Sequence, residues 1–139
     1  MKLPSSLLPI SPWRAFKGQQ SDFTGGHRII IVFPYNSNNY CYLTVTSKIE
    51  KAKIRWRNDI SSLVEFKVQD WNALTCDSCV ECGKRNLKIV NKLQIQDLYS
   101  AEKLQVLGEV PNIVKRKIIA GICSSITYTD TEKATYTKY

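Results

Sequence analysis

One histidine, His27, and one methionine are all that the 139 residues hold of those two types. A single imidazole leaves Ser-His-Asp or Cys-His catalysis with one candidate, set beside Gly25, Gly26 and Arg28. Acids are scarce early in the chain, where residues 1–58 carry only Asp22 and Glu50. A hydrolase built on paired carboxylates has little to draw on there. No GxGxxG, P-loop, HExxH or nucleophile-elbow pattern occurs, so nothing readable points to a nucleotide-cofactor enzyme. No apolar run approaches the ~20 residues of a membrane span. Pro4, Pro9 and Pro12 break up the opening MKLPSSLLPISPW. It therefore lacks the run of about 7–15 apolar residues of a secretory signal, and a cytoplasmic protein without membrane partners is expected.

The cysteines are odd in number: Cys41, Cys76, Cys79, Cys82 and Cys123. Reduced thiols are the expectation for a cytoplasmic chain. The spacing Cys76-x2-Cys79-x2-Cys82 suggests metal, but structural zinc usually takes four ligands and only one cluster is present. An iron–sulfur run of the C-x2-C-x2-C-x3-C kind needs a cysteine where Asn86 stands. If Asp77 to Cys82 is a strand, Cys76, Ser78, Val80 and Cys82 share one face and Cys79 the other, so three thiolates do not converge. The expectation is three structural thiols, with no metal and no cofactor. Cys41 or Cys123 could complete a site only in space.

What the chain has in excess is positive charge. Twenty Lys and Arg stand against twelve Asp and Glu, a net +8. Residues 1–58 hold nine basic residues against two acids, leaving +7, and residues 59–139 hold eleven against ten, leaving +1. A field this one-sided favours a polyanion or an acidic protein partner over a merely soluble basic surface.

Residues 1–24 are rich in Pro, Ser and Gln, with Trp13 and Phe16 as anchors, and read as an irregular arm. Residues 25–123 read as one domain, and 124–139, mostly Ser, Thr, Tyr and charges, as a mobile tail. Arg28 to Phe33 is a β-branched run that suits a strand buried on both faces. After the turn chemistry of residues 34–39, Tyr40 to Ser47 alternates in period two. Cys41, Leu43 and Val45 face a core; Tyr40, Tyr42, Thr44 and Thr46 look outward. The next stretch, 48–58, is the most basic, and in extended form Lys51, Lys53, Arg55 and Arg57 share a face opposite Ile54 and Trp56. Leu63–Val68, Val80 and Leu87–Val90 suggest further strands. A short helix is expected near Ser100, and a longer one after Pro111, where Val114, Ile118 and Ile122 recur at helical spacing. Short strands closed by a C-terminal helix predict a mainly β fold, either an SH3-like barrel or an OB-fold.

This inventory leaves phosphate chemistry without metal. Cleaving RNA requires deprotonation of a 2′-hydroxyl, charge stabilisation at a pentacovalent phosphorus, and protonation of the leaving oxygen. Arg28, at one strand end, supplies paired donors for nonbridging oxygens. Thr46, near the matching end of the next strand, supplies a hydroxyl donor. Tyr40 and Tyr42 are placed to stack single-stranded bases, and Lys48, Lys51, Lys53, Arg55 and Trp56 to bind the strand. The competing reading of Arg28 and Thr46 is as ordinary surface residues.

At this hairpin a resemblance enters. Gly25-Gly26-His27-Arg28-Ile29-Ile30-Ile31-Val32 resembles the segment of PemK/MazF-type toxin endoribonucleases in which a Gly and a catalytic Arg precede an apolar strand. Thr44-Val45-Thr46-Ser47 resembles that family's Pro-x-Thr-Ser strand end. Asp77-Ser78-Cys79-Val80 is similar to its later Asp-Ser-Val strand, and Leu107-Gly108-Glu109-Val110 to the lead into its last helix. Ile29 and Thr44 stand where the family carries proline. The resemblance implies a small SH3-like barrel, a homodimer, and metal-independent, sequence-specific cutting of single-stranded RNA. It also implies inhibition by a cognate, acidic antitoxin protein. Arg28 would transfer protons and bind phosphate, and Thr46 would stabilise the phosphate, with Ser47 in its place if the alignment slips by one. Two other classes stay open: a noncatalytic basic nucleic-acid-binding barrel and a cysteine-cluster metal-binding protein.

Overall fold

The structure, a computed structural model, describes residues 13–18 and 28–138. Seven antiparallel strands form its centre: β1 Arg14–Gly18, β2 Ile29–Pro34, β3 Asn39–Thr46, β4 Leu63–Phe66, β5 Ser78–Glu81, β6 Lys88–Asn91 and β7 Leu104–Glu109. Four α-helices accompany them among the described residues: α1 Ile49–Arg55, α2 Lys92–Ser100, α3 Asn112–Ser124 and α4 Asp130–Tyr136. The strands run in the order β4-β5-β3-β2-β1-β7. One edge of β3 is shared. Its first half pairs with β6 and its last two residues with β5. Strand β3 therefore spans the sheet, and the turn between β5 and β6 leaves it between the stretches that pair with β6 and β5, beside residues 43–44 of β3.

The β-branched run of β2 lies between two apolar layers, as its composition predicts. Ile31 and Phe33 enter the larger core, and Ile30 and Val32 the smaller. The larger core is closed by α3, where Val114, Ile118 and Ile122 are fully buried at helical spacing. Burying one such side chain contributes about 1.5–3 kcal/mol. Gly121 lets the helix come close: a Cβ there would stand 2.6 Å from Val64 Cγ2. The smaller core is closed by α2 through Ile95 and Tyr99.

Four expectations are corrected here. Part of the N-terminal arm is strand β1, paired with both β2 and β7, with Trp13 stacked on Phe33 at 4.4 Å. The rest of residues 1–24, and His27, lie outside the described residues. Residues 124–139 are not a mobile tail up to Lys138. Thr129 caps α4 through a capping box with Glu132, and Tyr128 and Tyr136 are buried in the larger core. A polar composition hid two aromatic anchors. The single domain thus runs beyond 25–123 at both ends. The basic stretch is a helix rather than an extended strand, because Glu50, Ala52 and the lysines are strong helix formers and Ala52 and Trp56 bury one side. The helix placed near Ser100 ends there instead, having begun at Lys92 behind the Asn91 cap.

Candidate functional site

Antiparallel pairing sets the site. The β2–β3 register runs from Pro34↔Tyr40 to Ile30↔Thr44. Carried two residues further, it sets Arg28 level with Thr46. Both residues line one open cavity of about 470 Å³ at this end of the sheet. Helix α1 leaves β3 here and supplies Lys48, Lys51 and Arg55 to the same cavity. These three stand at i, i+3 and i+7, the spacing of one helix face. The turn after β5 adds Arg85 and Asn86. Among the described residues, five cations thus line the space against a single carboxylate, Glu81.

Glu81, on the last residue of β5, is 9% exposed. Its Oε2 accepts from Arg55 Nε at 2.7 Å and its Oε1 from Arg55 Nη2 at 2.8 Å. Trp56 Nε1 also donates to Oε2. Burial pushes this carboxyl up. The hydrogen bonds from Arg55 and Trp56, with the charges of Arg55 and Arg85, outweigh it and hold the group below the ordinary carboxylate range. Glu81 is thus an anchored anion that fixes Arg55 and Trp56. The Trp56 ring lies against Gly83, where a Cβ would overlap its benzene edge, and the Arg85 guanidinium stands 4.9 Å from its centroid. Asn86 Nδ2 donates to the Glu81 carbonyl at 2.7 Å and ties the turn to the strand.

Thr46 is held by its own turn. Its Oγ1 accepts from the Lys48 backbone N–H at 3.1 Å. That uses one lone pair and leaves the hydroxyl hydrogen free to donate into the cavity. Beside the main cavity, a lobe of about 200 Å³ continues past Arg28 and Thr46 to Ser47, Cys76 and Ser78.

Of the residues singled out in the sequence, Arg28, Thr46, Lys48, Lys51, Arg55 and Trp56 line the cavity, and Ser47 lines the neighbouring lobe. Three expected binding residues need correction. Lys53 points elsewhere, pairing with Glu50 at 3.5 Å and Glu65 at 3.8 Å, because a helix turns it away from Lys51 and Arg55. Tyr40 is 2% exposed and belongs to the smaller core, so its ring has no face to offer a base. Tyr42 is half-buried against the same core and lines none of the cavities described above. Trp56 keeps its place but is buried, its indole N–H committed to Glu81.

Glu81, Arg85 and Asn86 escaped the sequence reading. They sit in Cys-Val-Glu-Cys-Gly-Lys-Arg-Asn, where the cysteine spacing drew attention. The available signal was an acid at a strand end followed by a basic turn. The cysteines themselves diverge. Val80 and Cys82 enter the larger core, Cys79 stands opposite Glu65 in the β4–β5 pairing, and Cys76 is exposed. Burial, then the charges of Glu81 and Glu65, push the Cys79 thiol up to about 11; burial pushes Cys82 up too. Among the described residues, no group of three or more His, Cys, Asp or Glu is placed to hold a metal ion. Nor is any helix there long and apolar enough to cross a membrane.

No family model matches the chain, and a search of curated proteins returns no match.

Proposed function

We propose that this chain is a cytoplasmic, metal-independent endoribonuclease acting on single-stranded RNA, a toxin of the PemK/MazF type with its strands curved into an SH3-like barrel. The observation that carries this reading is the shared cavity: Arg28 and Thr46, set level by the β2–β3 register, open into a space walled by Lys48, Lys51, Arg55 and Arg85. A phosphodiester there meets the Arg28 guanidinium through two donors on its nonbridging oxygens. The Thr46 hydroxyl adds a third donor, oriented by the Lys48 N–H on its lone pair. The 2′-oxygen attacks phosphorus, the P–O5′ bond breaks, and the proton lost from the 2′-hydroxyl is restored at O5′. The products are a 2′,3′-cyclic phosphate and a 5′-hydroxyl. In this reading Arg28 moves the proton as well as binding phosphate, Ser47 lies one residue beyond the reacting centre, and two copies form a homodimer. The excess of cations in the cavity also suits an acidic antitoxin segment competing with RNA.

One observation favours a second reading, a noncatalytic RNA-binding protein. The single carboxylate of the cavity, Glu81, is taken up by three donors and is no free base. A fluorogenic RNA assay in excess chelator separates the two. Cutting should persist in chelator, fall on the order of a hundredfold or more in Arg28→Ala, and fall less in Thr46→Val. Cutting undiminished in Arg28→Ala would overturn the nuclease mechanism; binding without cutting would leave the second reading.

A further inference from the structure

The main cavity does not end at Arg55 and Arg85. Both residues, with Trp56, also wall a further lobe of about 280 Å³, which Arg28 does not line. Its far wall comes from the C-terminal segment. There Ile126 is 76% exposed, an unusual place for a large apolar side chain.

That exposure is held in place by built structure. The Asp59 carboxylate, itself 7% exposed, accepts from Ser125 Oγ at 2.5 Å and from the Ile126 backbone N–H at 3.0 Å. On the other side of Ile126, Thr127 Oγ1 accepts from the Lys84 N–H at 2.9 Å, and Tyr128 Oη donates to the Cys82 carbonyl at 2.6 Å. Residues 125–128 are thereby fixed to the turn that carries Arg85 and to the loop that follows α1. The residue they present to the lobe, Ile126, is apolar and shares the lining with Asn58 and Arg85.

We infer that this lobe is a nucleobase subsite for the nucleotide next to the phosphate held at Arg28 and Thr46. The inference rests on the RNA reading above and adds where along the strand a base is gripped, and by what. A base needs an apolar face to lie on and polar groups at its edge. Ile126 supplies the first and Asn58 the second. Arg85 stands on the boundary, lining both spaces, where it can hold the phosphate that joins the two nucleotides. Gripping a base here fixes the register of the strand, so this lobe contributes to sequence preference. The occupant follows from charge: the lobe shares Arg55 and Arg85 with a cavity that, among the described residues, is lined by five cations and one acid.

The test uses fluorescence anisotropy with the full chain and a 2′-O-methyl hexanucleotide, which binds without being cut. Single abasic sites are walked along the oligomer, with wild type and Ile126→Ser in parallel. Because the side chain is exposed, Ile126→Ser keeps the fold, which circular dichroism checks. One abasic position should weaken wild-type binding by about 5-fold, the low end of what a stacked base is worth, because the platform is aliphatic rather than aromatic. The same abasic site should cost Ile126→Ser nothing further. Abasic costs identical in both proteins at every position would overturn the subsite while leaving RNA binding intact. A parent oligomer that fails to bind wild type at all would instead overturn the RNA reading itself.

Discussion

Gly83→Ala is the sharpest perturbation of the site that touches no charge. A methyl group at 83 would occupy the place of the Trp56 benzene edge. The indole is buried and its N–H is committed to Glu81, so it has no relaxed alternative nearby. Forcing a methyl into a packed interior costs about 1–3 kcal/mol. Loosening the Trp56 bond to the Glu81 carboxylate costs about 1.5–3 kcal/mol more. Alanine recovers about 0.4–1 kcal/mol by restricting the unfolded chain. The net expectation is about 1.5–5.6 kcal/mol of destabilisation, a drop in Tm of roughly 5–22 °C at this chain length. Urea unfolding of the four proteins in a Gly83→Ala and Trp56→Ala cycle measures it. With the indole gone, Gly83→Ala should no longer destabilise and should show only the gain of about 0.4–1 kcal/mol from the unfolded chain, a coupling that only direct contact explains. A neutral Gly83→Ala, or costs that simply add, would refute the packing argument. The displaced ring should also release Arg85 and weaken RNA binding in the single mutant.

Glu81→Gln tests the anchored carboxylate. Its pKa is depressed on folding, so its contribution is fully present above the ordinary value of 4.5 and is lost as pH falls through the folded value. The urea midpoint gap between wild type and Glu81→Gln should therefore be wide at neutral pH and narrow progressively as pH falls below 4.5; a constant gap would refute the assignment. Lys51→Gln should reduce the salt dependence of RNA binding by about 0.7 in log–log slope, whereas Lys53→Gln should leave it unchanged, since only Lys51 lines the cavity. Tyr136→Ala should cost about 2–4 kcal/mol in urea unfolding, because the ring is buried and stacks on Tyr35 at 5.6 Å. A residue on a free tail would cost nothing.

Strand β2, the inner face of β3 and helix α3 were legible because each announces itself within a few residues: a β-branched run, a period of two, a period near four behind Pro111. Arg28 and Thr46 were legible for the same reason, as the matching ends of a hairpin whose turn lies between them. Helix α1 was readable too, in Glu50, Ala52 and the lysines, but the alternation of charge at 51, 53, 55 and 57 imitates a strand equally well. Only the buried face formed by Ala52 and Trp56 decides between the periods. The outward face of β3 was misread at Tyr40 because α2 brings a second apolar layer to that side of the sheet. No local pattern in β3 carries that information. Glu81 and Arg55 meet across 26 residues, and Asp59 and Ser125 across 66. Sequence by itself determines what each segment prefers when paired with solvent on one side and apolar surface on the other. Which surface arrives, and which charge is caught between two elements rather than left in water, is decided by the tertiary fold, because burial and desolvation exist only once distant segments meet.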